Sequence, residues 1–121
     1  MSAKEDRAIA RLVERISAAL DDGKAVKVCV LDVRKQTVIT DFMVIASGRT
    51  GRQVRALAER VLEVARHEQV KALGVEGERE GEWVLLDFGG VIVHLMQPAT
   101  RDFYQLEKLW EERLPAQADQ R

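Results

Sequence analysis

The stretch WVLLDFGGVIVHLM, Trp83 to Met96, decides the fold. Two apolar runs flank Gly89-Gly90, and a glycine pair is a favoured two-residue hairpin turn because both positions tolerate positive φ. Such a turn sets the register. Phe88 opposes Val91, Asp87 opposes Ile92, Leu86 opposes Val93, Leu85 opposes His94, Val84 opposes Leu95, and Trp83 opposes Met96. Opposed residues share a face of the sheet. One face is then Val84, Leu86, Phe88, Val91, Val93 and Leu95, apolar throughout, and belongs against the core. The other carries Trp83, Leu85, Asp87, Ile92, His94 and Met96, a mixture of aromatic, thioether, imidazole and carboxylate groups with the make-up of an interaction surface. A covering helix is the alternative, turning Trp83 and Met96 into ordinary packing and His94 into a hydrogen-bonded core group.

Upstream of the hairpin the hydrophobic period changes. From Lys4 to Leu20 the apolar positions Ile9, Leu12, Val13, Ile16, Ala19 and Leu20 recur at steps of three and four, which predicts an amphipathic helix with Gly23 as its stop. AVKVCVLDV then alternates Val26, Val28 and Val30 against Lys27, Cys29 and Leu31, a strand with one strongly apolar face. A second strand follows in DFMVIAS, Asp41 to Ser47, after a polar segment too short for a parallel crossover, so the two pair antiparallel if they pair directly. Thr50 and Gln53 have capping-box spacing and open a second helix with Val54, Leu57, Ala58, Val61, Leu62 and Ala65 inside and Arg52, Arg55, Glu59, Glu63 and Arg66 outside. Leu73 to Val75 reads as a short strand before the glycine-punctuated EGEREGE. Downstream, Pro98 ends the sheet and Thr100 can cap a last helix. Phe103, Leu106, Trp110 and Leu114 form its apolar face, with Arg101, Tyr104 and Lys108 on its wetter side.

The expected fold class is α/β: one domain over residues 4–114 with a mixed β-sheet flanked by helices, and a loose tail over residues 115–121. A chain of 121 residues that is 46% hydrophobic buries a core without disulfides or metal. Its 19 Lys plus Arg are balanced by 20 Asp plus Glu, so no strong field steers it to bare nucleic acid or an acidic membrane. Cys29 is the single cysteine and forms no intramolecular disulfide. The opening MSAKEDRAIARLVERI is a charged helical pattern without a signal-peptide or membrane-spanning run, and the expected location is cytoplasmic.

Chemistry-bearing constellations are sparse. His67 and His94 have no ligand-spaced partner, so no metal or other cofactor is expected. Ser47 sits in ASGRTG, which is not a nucleophile elbow. A strand, a Ser-Gly turn and a helix start can hold phosphate on backbone amides, but nucleotidyl transfer also needs clustered carboxylates for magnesium. Asp32, Asp41 and Asp87 each occur singly. LGVEGEREGE lacks the Gly-Lys-Ser/Thr of a phosphate loop and carries acids that repel phosphate.

TDFMVIASG (Thr40 to Gly48), RQV and ALA in the second helix, GVEGE (Gly74 to Glu78), EWVLLDFGGVIVHLMQP (Glu82 to Pro98) and RDFYQLEKLW (Arg101 to Trp110) together resemble the ribosomal silencing factors, also called the Iojap or YbeB family. The departures are mild: Phe42 where Tyr is common and Gly90 where an acid is common. The resemblance implies a nucleotidyltransferase-like fold lacking the catalytic carboxylates, and binding without turnover. It further implies docking on the large ribosomal subunit, at the ribosomal protein numbered fourteen on the joining face. That docking would prevent association with the small subunit and repress translation when nutrients are scarce. On this reading Trp83, Leu85, Asp87, Ile92, His94 and Met96 meet the partner, and Arg101, Tyr104 and Lys108 extend the surface. A nucleotidyltransferase-like enzyme and a homodimer built on the same face remain the alternatives.

Overall fold

The computed structural model describes residues 3–111. Helix α1 (Ala3–Asp22) leads into strands β1 (Val26–Asp32) and β2 (Phe42–Ser47), then helix α2 (Gly51–His67), strands β3 (Gly74–Glu76), β4 (Trp83–Asp87) and β5 (Val91–Met96), and the short helices α3 (Pro98–Tyr104) and α4 (Leu106–Glu111). The five strands form one mixed sheet in the order β1-β2-β5-β4-β3. Only the central pair, β2 with β5, is parallel; β1–β2, β4–β5 and β3–β4 are antiparallel.

The hairpin has the register expected of a two-residue turn, from Asp87 opposite Ile92 to Trp83 opposite Met96. Its turn differs in one detail: of the two glycines only Gly89 takes positive φ, at 84°, as a II′ rather than a I′ turn requires. Gly90 has a different reason to be glycine, since a Cβ there would lie 2.7 Å from Ile9 Cδ1 of α1. The apolar face Val84, Leu86, Phe88, Val91, Val93 and Leu95 joins Val44 and Ala46 of β2 under the buried stripes of α1 and α2, forming the main core.

Helix α2 begins as its sequence dictates. Thr50 Oγ1 accepts from Gln53 N at 3.1 Å, while Gln53 Oε1 reaches back to Arg49 N at 2.7 Å, one residue before the cap. Helix α1 ends differently from expectation. The left-handed residue is Lys24, with φ 67°, and Gly23 serves close packing, because a Cβ there would meet Leu57 Cδ2 at 2.7 Å.

Strand β1 breaks its apparent alternation. Lys27 takes φ 52°, and the pairing shifts between Val26 opposite Ser47 and Cys29 opposite Ile45. This bulge moves Val26 to the face of Cys29 and Leu31, while Val28 stays with the core. Val30 follows Val28 but lies at the sheet edge, 43% exposed.

The end of the chain departs most. The expected single helix is two, separated by Gln105 in the left-handed region at φ 47°. The first starts at Pro98 with Gln97, not Thr100, at the cap position. Phe103, expected inside, is 79% exposed, whereas Leu106 and Trp110 are half-buried. Leu114 and the tail 115–121 lie outside the described residues.

Candidate partner-docking face

The second face of the sheet is built from three rows that cross the strands. Val26, Ser47, Met96 and Trp83 form one; Cys29, Ile45, His94, Leu85 and Glu76 the next; Leu31, Met43, Ile92, Asp87 and Gly74 the third. Burial falls along each row from β2 towards β4. Ser47, Met96, Ile45, His94 and Met43 are buried, while Trp83, Leu85, Ile92 and Asp87 are half-buried and Glu76 is exposed. The face is therefore half covered and half open.

Helices α3 and α4 lie over the covered half and are held there by polar contacts. Arg101 Nε donates to Glu107 Oε2 at 2.8 Å, and its Nη1 reaches Ser47 Oγ at 2.9 Å and Val26 O at 3.3 Å. Gln36 Nε2 adds a bond to the Trp110 carbonyl at 3.3 Å. This corrects two expectations about the surface. Arg101 is not on the wet side of its helix but 7% exposed, ion-paired and tied to the β1 bulge. Met96 and His94, at 0% and 5% exposure, present almost nothing to a partner, so for these two the covering-helix alternative describes the packing.

On the open half, Trp83 is clasped from two sides. Its Nε1–H donates to His94 Nδ1 at 3.1 Å, and its ring meets Tyr104 at a centroid distance of 4.9 Å. Phe103 braces Tyr104 edge-on at 5.0 Å. A cavity of about 310 Å³ is lined by Glu82, Trp83, Ala99, Thr100, Phe103 and Tyr104. Phe103 and Tyr104 are well exposed, and Lys108 is exposed on α4. Phe103 is the surface residue that sequence reasoning placed in the core. Its spacing to Leu106 and Trp110 fits one unbroken helix, and no glycine marks the break at Gln105. Asp87 has a local role as well: its Oδ1 accepts from Gly89 N at 2.8 Å and closes the hairpin turn.

An indole N–H only donates, so His94 Nδ1 is a lone-pair acceptor and the neutral ring carries its proton on Nε2. Burial pushes the His94 pKa down to about 4, which keeps that acceptor available at neutral pH.

Several amides of the Ser-Gly turn and the start of α2 are internally bonded. Gly48 N donates to Met96 O at 3.1 Å, Arg49 N and Gln53 N are engaged in the cap, and Gly81 packs so closely that a Cβ there would lie 2.9 Å from Gly51 O. The carboxylates do not converge either. Asp32 pairs with Arg34 at 2.6 Å, and the side-chain bond to that guanidinium holds its carboxyl below the usual range. Among the described residues no three His, Cys, Asp or Glu side chains group where they can hold a metal, and no helix is long and apolar enough to cross a membrane.

A half-open face with an aromatic clasp has the make-up of a recognition surface. The family model described as "Ribosomal silencing factor during starvation" matches residues 5–121. The chain belongs to the ribosomal silencing factor family. This is a family of translation regulators. The chain is 43% identical over 98 residues to a ribosomal silencing factor of Chromobacterium violaceum, covering 81% of this chain and 80% of that protein. It is 39% identical over 99 residues to the ribosomal silencing factor of Haemophilus influenzae, covering 82% and 97%. A crystal structure of a Chromobacterium violaceum protein superposes with a TM-score of 0.83 at 41% identity, covering 85% of this chain and 86% of that one.

Proposed function

We propose that this silencing factor docks on the large ribosomal subunit through the open half of the second face. Docking is at the ribosomal protein numbered fourteen and blocks joining of the small subunit, which represses translation when nutrients are scarce. The contact surface is Trp83, Leu85, Asp87, Ile92 and Tyr104, extended by Phe103 and Lys108. His94, Met96 and Arg101 support it from beneath. The observation that carries this reading is the half-buried Trp83 set between His94 and the exposed pair Phe103 and Tyr104. A half-buried aromatic anchor of this kind is the usual centre of a protein interface.

The near-zero net charge of -1 fits a factor that docks on protein and needs no basic load. The scaffold is a nucleotidyltransferase-like unit, and among the described residues it groups no acids that could hold a metal, which fits a factor that acts by occupying space. A compact chain of this length has a radius of gyration of roughly 14 Å, bulky enough to hold two close-fitting surfaces apart.

Order of addition tests the mechanism. Added to isolated large subunits before small ones, the protein lowers the population of joined ribosomes; added to preformed ribosomes, it does little until they dissociate. Sucrose gradients read this directly, with the factor travelling in the large-subunit peak. Equal abundance on joined ribosomes rejects steric blocking. Trp83→Ala weakens large-subunit binding by about 2 kcal/mol or more, the range of an interface aromatic.

A further inference from the structure

We infer that His94 is a positioning residue: its imidazole holds the Trp83 indole in the orientation that meets the partner. This rests on the docking reading given above.

The first support is the asymmetry between the two side chains. His94 belongs to β5, at the middle of the sheet, between Ile45 of β2 and Leu85 of β4. It is 5% exposed beside a fully buried Ile45, so its ring has no room to turn. Trp83 is the outer member of its row and half-buried, free to choose among rotamers unless something fixes it. The two rings lie 5.9 Å apart and are tilted by 51°, so the imidazole offers its Nδ1 edge to the indole N–H. The Tyr104 ring lies 4.9 Å from the indole and is tilted by 54°. A hydrogen bond at the nitrogen and a ring contact together define the indole plane.

The second support is what the imidazole lacks. Among the described residues, His94 Nε2 is buried with no hydrogen-bond partner. A leucine would fill the same place without an orphaned polar atom, and such an atom lowers stability. The histidine is thus a poor choice for packing, and its one polar bond leads to the side chain at the open surface. A donor-only group such as the indole N–H requires an acceptor, and a neutral imidazole provides one. Fixing a large side chain before docking removes the cost of ordering it at the interface, worth up to about tenfold in affinity.

A double-mutant cycle separates positioning from folding. The variants are His94→Leu, which deletes the acceptor; His94→Asn, which keeps an acceptor oxygen near the position of Nδ1; Trp83→Phe, which deletes the donor; and Trp83→Phe with His94→Leu. Cosedimentation with isolated large ribosomal subunits gives binding. Hydrogen exchange of the two indole N–H groups, assigned with Trp83→Phe, reads the bond in the free protein.

His94→Leu is expected to speed exchange at the Trp83 indole by about tenfold or more relative to Trp110 and to weaken binding by about tenfold. His94→Asn restores part of both, and His94→Leu adds no further loss in the Trp83→Phe background. Unchanged indole exchange in His94→Leu overturns the inference. So does an equal binding loss with and without the indole N–H, which is the mark of a general structural effect. Binding that survives both Trp83→Phe and Trp83→Ala removes the docking reading itself. Binding that needs Trp83 but is indifferent to His94 removes only the positioning role.

Discussion

Replacing Arg101 with methionine tests the electrostatic fastening of the last two helices. The guanidinium side chain is 9% exposed and its partner Glu107 is 24% exposed, so the pair is largely desolvated. Removing one member of a buried pair costs about 3–5 kcal/mol because the other charge stays behind unpaired. Glu107 keeps some access to water, which argues for about 3 kcal/mol. Ser47 Oγ and Val26 O also lose a donor. The hydroxyl can rotate to another partner and the carbonyl bond is long, so these add about 1 kcal/mol together. The expected loss is about 3–4 kcal/mol, a large share of the roughly 5–15 kcal/mol that holds a domain folded. With a urea m-value of about 1.5–2 kcal/mol/M, the unfolding midpoint falls by about 2 M. Adding Glu107→Leu to Arg101→Met removes the stranded charge and is expected to recover more than half of the loss, since well-packed apolar replacements of buried pairs are close to neutral. A midpoint shift below about 0.5 M for Arg101→Met refutes the fastening argument. A double variant as weak as the single one refutes the assignment of the loss to the unpaired carboxylate.

Gly77 takes φ 87°, and a Cβ added there would lie 2.0 Å from the Trp83 carbonyl oxygen. A backbone clash of that depth adds to a left-handed penalty of about 1–2 kcal/mol, so Gly77→Ala is expected to lose about 3 kcal/mol and about 12 °C of melting temperature; a drop under about 3 °C is inconsistent with this geometry. His94 gives a pH signature: its folded-state pKa lies near 4 against an ordinary 6.5, so between those values the unfolded chain binds the proton first, and stability falls as pH drops through the window. The total is about 3 kcal/mol, measured as the difference in urea midpoint between wild type and His94→Leu from pH 7 to pH 4, and identical pH slopes in the two proteins contradict it.

What the sequence made legible is what local chemistry alone determines. The glycine pair set the β4–β5 register, and the alternation on either side of it assigned the core face residue by residue. Thr50 and Gln53 marked the start of α2 because a cap is a contact between near neighbours. The bulge at Lys27 was hidden because a lysine in the left-handed region carries no signature, and three alternating valines imitate a regular strand. The covered half of the second face left one trace: in FMVIAS every residue from Met43 to Ser47 is buried, and a strand apolar on both sides is buried on both sides. Read together with the mixed face of β5, that run places a cover over Ile45, His94 and Met96 and leaves Trp83 and Leu85 outside it.

The break at Gln105 joins the fold to its surface. In an unbroken helix Arg101 and Glu107, six residues apart, would stand about 9 Å apart along the axis and about 120° apart around it, too far for an ion pair. The left-handed turn at Gln105 folds α4 back so that the carboxylate reaches the guanidinium. That pair in turn anchors α3 on Ser47 and on the bulged strand at Val26. Helix α3 then stands with Tyr104 against the Trp83 ring and Phe103 facing water. One irregular residue therefore has two consequences: it buries a charge that a regular amphipathic helix would expose, and it exposes an aromatic that such a helix would bury. Both act at the boundary between the closed and open halves of the sheet, where Trp83 is held.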